Sequence, residues 1–113
     1  MRIPNADRAV IDAVKLHGYL LSRSHPVGRF KAAFFHALGY SSEGWRQLDA
    51  DLRSQHLPRD ATLESQTAYG QKYSIRATLV APSGSSADVV SVWVVRRGEE
   101  LPRFVTAYPE AGR

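Results

Sequence analysis

At 113 residues and 12.6 kDa the chain has the length of one domain with one modest core, and with 43% hydrophobic and 23% charged residues it is expected to fold alone rather than stay disordered. It contains no cysteine, which excludes disulfide frameworks, thiolate zinc sites and cysteine nucleophiles together. The net charge of +4 and pI near 9.8 point to phosphate or acidic-protein partners; arginine supplies 12 of the 15 basic residues, a bias that suits bidentate phosphate pairing but that a GC-rich coding sequence produces equally well.

Met1 to Arg8 carries Arg2, Asp7 and Arg8 with no apolar run behind it, and the longest apolar stretch, Val89 to Val95, is broken by Ser91. The expectation is neither a signal peptide nor a membrane helix, hence no membrane partner and a cytoplasmic location. Up to Pro58 the apolar residues recur at helical spacing. Leu16, Tyr19 and Leu20 form a short stripe, and Phe30, Phe34 and Leu38 recur at four-residue steps before Gly39, a C-terminal stop. Ser41 or Ser42 can cap a third helix in which Trp45, Leu48 and Leu52 share a face. Three helices are predicted within residues 12 to 56.

Beyond Thr62 the period becomes two. A first strand runs from about Thr62 to Ala68 and ends at Tyr69-Gly70; in the next, Tyr73, Ile75, Ala77 and Leu79 oppose Lys72, Ser74, Arg76 and Thr78. Pro82 to Ser85 is a turn, Val89 to Arg97 a third strand, Gly98-Glu99-Glu100 a second turn, and Leu101 to Tyr108 a last strand stopped by Pro109. Short connections imply an antiparallel meander. The fold class is α+β: about three N-terminal helices on one face of a four-stranded sheet, as a single domain over 1–113 with a helical part at about 10–57 and a sheet part at about 61–109. Phe34, Leu38, Leu48, Ile75 and Leu79 are the expected core, and which sheet face stays open is not fixed by the pattern.

Two clusters carry candidate chemistry. Between the first two helices lies Ser24-His25-Pro26-Val27-Gly28-Arg29-Phe30-Lys31, where Pro26 and Gly28 set a tight backbone. The N–H groups opening the next helix, with Arg29 and Lys31, can converge on an anion beside the His25 imidazole. A plain exposed loop between two helices fits the same residues. In the last strand, strict alternation places Phe104, Thr106 and Tyr108 on one face and Arg103, Val105 and Ala107 on the other. If the first face is open, the Thr106 and Tyr108 hydroxyls are neighbouring donors, with Trp93 and Tyr73 as stacking platforms and Lys72 and Arg76 as nearby cations; Thr and Tyr are also ordinary strand residues, and Trp93 suits a core. His17, His25, His36 and His56 show no metal-ligand spacing, so no metal or other cofactor is expected; His36 reads as partly buried and structural, His17 and His56 as surface residues.

The order Pro4-Asn5-Ala6, Tyr19-Leu20-Leu21-Ser22, His25-Pro26-Val27-Gly28-Arg29 with Lys31, Phe34-Phe35, Leu38-Gly39-Tyr40, Tyr69-Gly70 with Lys72-Tyr73, Val92-Trp93 and Arg103 to Pro109 resembles an uncharacterised bacterial domain family over nearly the whole chain. That family in turn resembles the barnase, EndoU, colicin and RelE group of small ribonuclease toxins, whose helices pack on a sheet of about four strands. The resemblance implies metal-independent endonucleolytic cleavage of RNA, in which a ribose 2′-OH attacks the adjacent phosphate and leaves a cyclic phosphate and a free 5′-OH. It implies His25 in proton transfer, Lys31 or Arg29 on the phosphate, and Lys72, Arg103, Thr106 and Tyr108 as the matching strand positions. It also implies a small acidic antitoxin or immunity protein as partner. The chain has Phe30 where many members carry a small polar residue, which bears on local phosphate contacts and not on His25. A non-catalytic module binding RNA or an acidic protein through the same basic face is the alternative reading, and a structural partner subunit a third.

Overall fold

The computed structural model describes residues 1–110. After a 3-10 turn at Ala6–Arg8 come three helices: α1, Ala13–Lys15, runs on into a π-helical turn at Leu16–Leu20; α2 is Arg29–Leu38; and α3, Trp45–Asp51, runs on into a π-helical turn at Leu52–His56. Four strands complete the chain, β1 Thr62–Thr67, β2 Gly70–Val80, β3 Ser86–Arg96 and β4 Arg103–Pro109, forming one antiparallel sheet in the order β1-β2-β3-β4. The fold is α+β with the helices ahead of the sheet, and the change of period near Pro58 marks the boundary. Among the described residues no helix is long and apolar enough to cross a membrane.

Local chemistry sets the helix ends. Asp12 Oδ1 accepts the Val14 N–H at 3.1 Å to open α1, and Gly39, at φ 113°, takes the left-handed conformation that ends α2. Of the two serines before α3, Ser41 turns the chain by accepting the Gly44 N–H at 3.0 Å, while Ser42 donates to the His17 carbonyl at 2.8 Å. Each π turn adds an extra residue to the turn, so side chains beyond it rotate away from the simple helical stripe. That rotation lets Leu16, Leu20 and Leu21 all be fully buried.

Alternate residues of the central strands, Tyr73, Ile75 and Leu79 of β2 and Val89 and Trp93 of β3, join Leu16, Leu20, Phe35, Leu48 and Leu52 in one core. Of the expected core residues, Leu38, Leu48, Ile75 and Leu79 are buried; Phe34 is only half-buried and packs edge-on against Phe35, which takes the interior place. The face of α2 that is buried runs Ala32, Phe35, Leu38, so Phe30, placed on the stripe by four-residue spacing, stands 71% exposed. His56 is a second correction. Rather than lying at the surface it is fully buried, its Nδ1 2.8 Å from Ser91 Oγ, which also accepts Trp93 Nε1–H at 2.8 Å.

Strand β4 is held on both sides. Its inner neighbour is β3, but its outer side meets the N-terminal segment, where the Val10 N–H reaches the Pro102 carbonyl at 2.8 Å and the Phe104 N–H returns to the Val10 carbonyl at 2.9 Å. Its register against β3 slips by one: Thr106 faces Val92 but Phe104 faces Trp93, leaving Val105 as the extra residue of a bulge. Strict alternation fails there. Phe104 and Ala107 share the core, and Thr106 and Tyr108 lie on the opposite face, which corrects the grouping of Phe104 with Thr106 and Tyr108.

Candidate active site

The turn between α1 and α2 is built around His25. Its Nδ1 accepts the N–H groups of Val27 at 3.0 Å and Gly28 at 2.9 Å, and its carbonyl accepts the Arg29 N–H at 3.1 Å. The imidazole therefore braces the turn ahead of α2 in the Nε2–H tautomer, and of the N–H groups that open the helix, that of Arg29 goes to the His25 carbonyl and that of Lys31 to the Gly28 carbonyl. Gly28 lies against the backbone of Tyr19, where a Cβ would overlap the Tyr19 carbonyl oxygen; this close approach, and not a positive φ, requires glycine. The His25 ring meets the Tyr19 ring edge-on with centroids 5.0 Å apart.

From the first turn of α2, Lys31 reaches the sheet. Its Nζ donates to Tyr19 Oη at 2.8 Å and to Thr106 Oγ1 at 3.0 Å, and those two hydroxyls are 3.2 Å apart. The three groups close a triangle joining the turn after α1, α2 and β4. Among the described residues the ammonium has no carboxylate partner within 4.0 Å. Burial raises the Tyr19 pKa, but the hydrogen bonds from Lys31 and Thr106, with the charges of Lys31 and Lys15, outweigh it and hold the phenol below the ordinary tyrosine value. The site is thus a fixed cation beside a phenol biased towards ionisation.

Thr106 is also where the triangle opens onto the sheet. With Glu64, Ser74, Arg76, Val92 and Tyr108 it lines a cavity of about 440 Å³ that also borders Lys72 and Val105. Within it Glu64 accepts a short hydrogen bond from the Ser74 hydroxyl, and Arg76 Nη1 lies 3.5 Å from Glu64 Oε2 and 3.1 Å from Ser74 Oγ. The Ser74 hydrogen bond, aided by Arg76 and Lys72, holds the Glu64 carboxyl below the usual carboxylate range. Arg76 Nε is 3.9 Å from Glu110, so this cation lies between two carboxylates.

Of the residues singled out in the sequence, Lys31 and Thr106 are in direct contact, His25 abuts the same Tyr19, and Lys72, Arg76 and Tyr108 line the adjoining cavity. The others lie elsewhere. Arg29 stacks its guanidinium 4.6 Å over the Phe30 ring at the surface. Arg103 pairs with Glu99 at 3.0 Å and borders a separate depression beside Arg8. Trp93 is wholly buried and Tyr73 is 3% exposed, so neither offers a ring face for stacking; both belong to the core. His36 bonds the Leu21 carbonyl through Nε2 at 2.8 Å. Tyr19 is the residue that periodicity hid: its ring fits the apolar stripe and only its hydroxyl enters the site. The available signal was its place in the Tyr19-Leu20-Leu21-Ser22 segment. Among the described residues no three His, Asp or Glu side chains converge as a metal site.

Residues 2–111 match a family described as a domain of unknown function, DUF6883. No curated protein matches the sequence. Among solved structures, a chain of a contact-dependent growth inhibition toxin–immunity protein complex from Klebsiella pneumoniae 342 superimposes with a TM-score of 0.68 over 96% of this chain and 98% of that one, at 22% identity. The two chains share a fold.

Proposed function

The chain belongs to the DUF6883 family, and we propose that it is the toxin of a toxin–immunity pair: a metal-independent endoribonuclease acting on cytoplasmic RNA. The observation that carries this reading is the Tyr19–Lys31–Thr106 triangle at the edge of an open cavity. The structural neighbour comes from a complex of a toxin and its immunity protein, and the net charge of +4 favours the toxin side for this chain. The partner is then a small acidic immunity protein. In this reading the helices back one face of the sheet and RNA takes the other.

The reaction asks for a base at the ribose 2′-OH and for donors around the phosphorane. Ionised Tyr19 removes the 2′-OH proton, the 2′-oxygen bonds to phosphorus, and the bond to the 5′-oxygen breaks, that oxygen taking a proton from water. A 2′,3′-cyclic phosphate and a free 5′-OH result. Lys31, Thr106 and the His25 Nε2–H supply donors to the non-bridging oxygens. Proton transfer by His25 itself is the variant of this scheme; it requires a proton at Nδ1, which displaces the Val27 and Gly28 N–H groups.

The test is direct. Purified protein incubated with RNA in excess chelator should yield fragments ending in cyclic phosphate, and Lys31→Ala should yield them far more slowly. A folded wild-type protein that binds RNA but never cleaves it would move the reading to a binding module, which the locked His25 ring favours.

A further inference from the structure

Helix α2 is apolar on two opposite sides. Ala32, Phe35 and Leu38 face the core; on the far side Phe30, Ala33 and Ala37 recur at three- and four-residue steps, are all exposed and carry no charge. A surface helix ordinarily turns charged side chains outward, and apolar residues on opposite sides mark a helix that is covered. The turn before α2 extends the same surface. The Arg29 N–H reaches the His25 carbonyl at 3.1 Å, so the chain is already helical there, and Val27, one turn ahead of Phe30, is 60% exposed. Arg29 stacks its guanidinium over the Phe30 ring and supports it outside the core.

The charge around this surface is equally one-sided. Residues 13–42 contain Lys15, Arg23, Arg29 and Lys31 and no Asp or Glu, while the other eleven basic residues of the chain are matched by its eleven acidic ones. The whole net charge of +4 therefore resides in the segment that carries α1, the turn and α2. None of those four cations forms a salt bridge among the described residues. A second copy of the chain would bring the same cations to the contact and be repelled. A nucleobase can stack on one ring but gains nothing from Ala33 and Ala37, whereas a protein can lay its backbone close against them and take the aromatic ring into a hollow. We infer that the outward face of α2, anchored by Phe30 and rimmed by Arg23 and Arg29, is the surface on which the acidic immunity protein docks, so that the partner is held by side chains outside the Tyr19–Lys31–Thr106 triangle.

This inference rests on the toxin–immunity reading for the identity of the partner, and it is measured by binding and cleavage side by side. The probe is the purified product of the reading frame adjoining that of this chain, titrated by calorimetry against the full chain. Phe30→Ala should weaken binding roughly thirtyfold to a thousandfold, the loss of an aromatic anchor, and Ala33→Glu, which sets a carboxylate on the same face, should weaken it as well. Both side chains are exposed, so both variants should fold and cleave RNA at the wild-type rate. Arg96→Ser, which removes one positive charge from the balanced part of the chain, should cost less than about threefold. Wild-type affinity in both α2 variants overturns the docking face and leaves the toxin–immunity pair standing. A loss in Arg96→Ser as large as in Phe30→Ala overturns it too, because the attraction is then one of net charge. Variants that keep the partner and lose RNA affinity assign the face to nucleic acid instead. A wild-type chain that does not bind the adjoining product removes the toxin–immunity reading and the inference together.

Discussion

Lys31 Nζ, carried by the first turn of α2, lies 3.0 Å from Thr106 Oγ1 on β4, so a helix that opens just after a turn is tied to the far strand of the sheet by one ammonium. The same ammonium holds Tyr19 Oη at 2.8 Å. Replacing Lys31 by Ala removes the cation and leaves both hydroxyls to each other. RNA cleavage should fall roughly a hundredfold to a thousandfold, the usual cost of losing a charge-stabilising donor. Thr106→Val keeps the shape and removes one hydroxyl, so its loss should be smaller. Initial rates on a defined oligonucleotide check both, and undiminished cleavage by folded Lys31→Ala protein would remove the triangle from the mechanism.

The pH profile separates the two proton carriers. A base must be ionised to act, and Lys31 and Thr106 hold the Tyr19 phenol below its ordinary 10.0, so kcat/KM should rise with pH and its inflection should fall below that value. Tyr19→Phe should abolish the rise and slow cleavage roughly a hundredfold or more. His25→Ala removes the acceptor of the Val27 and Gly28 N–H groups and should cost about 0.5–1.5 kcal/mol of stability. If it instead changes the shape of the profile while Tyr19→Phe leaves it intact, His25 is the proton carrier.

Gly28→Ala places a methyl group on the Tyr19 carbonyl. The turn must move, and with it the start of α2 that carries Lys31. Stability should drop by about 1–3 kcal/mol, as for overpacking a close contact, and activity should fall by more than the loss of folded protein explains. Thermal unfolding compared with the rate per folded molecule tests this.

His56 ties stability to pH. Burial, with a smaller contribution from Arg59, lowers its pKa to about 4, against the pull of the Ala77 backbone. The unfolded histidine takes up its proton near 6.5 and the folded one does not, so the unfolded state binds more protons between the two values. The contribution is complete above about pH 6.5 and is lost as pH falls towards 4, by on the order of 3 kcal/mol. Urea midpoints measured across that window should decline, and the slope should flatten in His56→Leu, which is also less stable because Ser91 loses a partner.

Much of the architecture was legible because it obeys simple periods. Tyr73, Ile75 and Leu79 alternate and are buried; Gly39 ends α2 as its position implies. The place that resisted is the one where a residue is added to a regular repeat: the bulge at Val105 re-phases β4, which a fixed period does not anticipate. His56 lies four residues beyond Leu52 on the buried face and reads as a surface residue only because its ring is polar. The candidate site was legible in part. Lys31 and Thr106 stand out in the sequence by their chemistry and do meet, but Arg103 carries the same charge and is taken by Glu99, since local pairing is invisible to composition. Tyr19 escaped because an aromatic ring in an apolar stripe reads as packing until its hydroxyl is seen against Lys31.

The extra residue in β4 also makes the site depend on pairing as well as on identity. Val105 is what lets Phe104 and Thr106, two apart in the sequence, fall on opposite faces; deleting it would make them neighbours, which plain alternation still keeps apart, whereas keeping it without the bulge would put both on one face. Keeping the tail of β4 in place would then expose an aromatic ring; keeping its beginning would bury a hydroxyl. Relatives of this chain that keep each residue type but pair β4 in unbroken register would therefore fold around a different surface, and a gap of one position at Val105 would matter less than how the strand pairs around it.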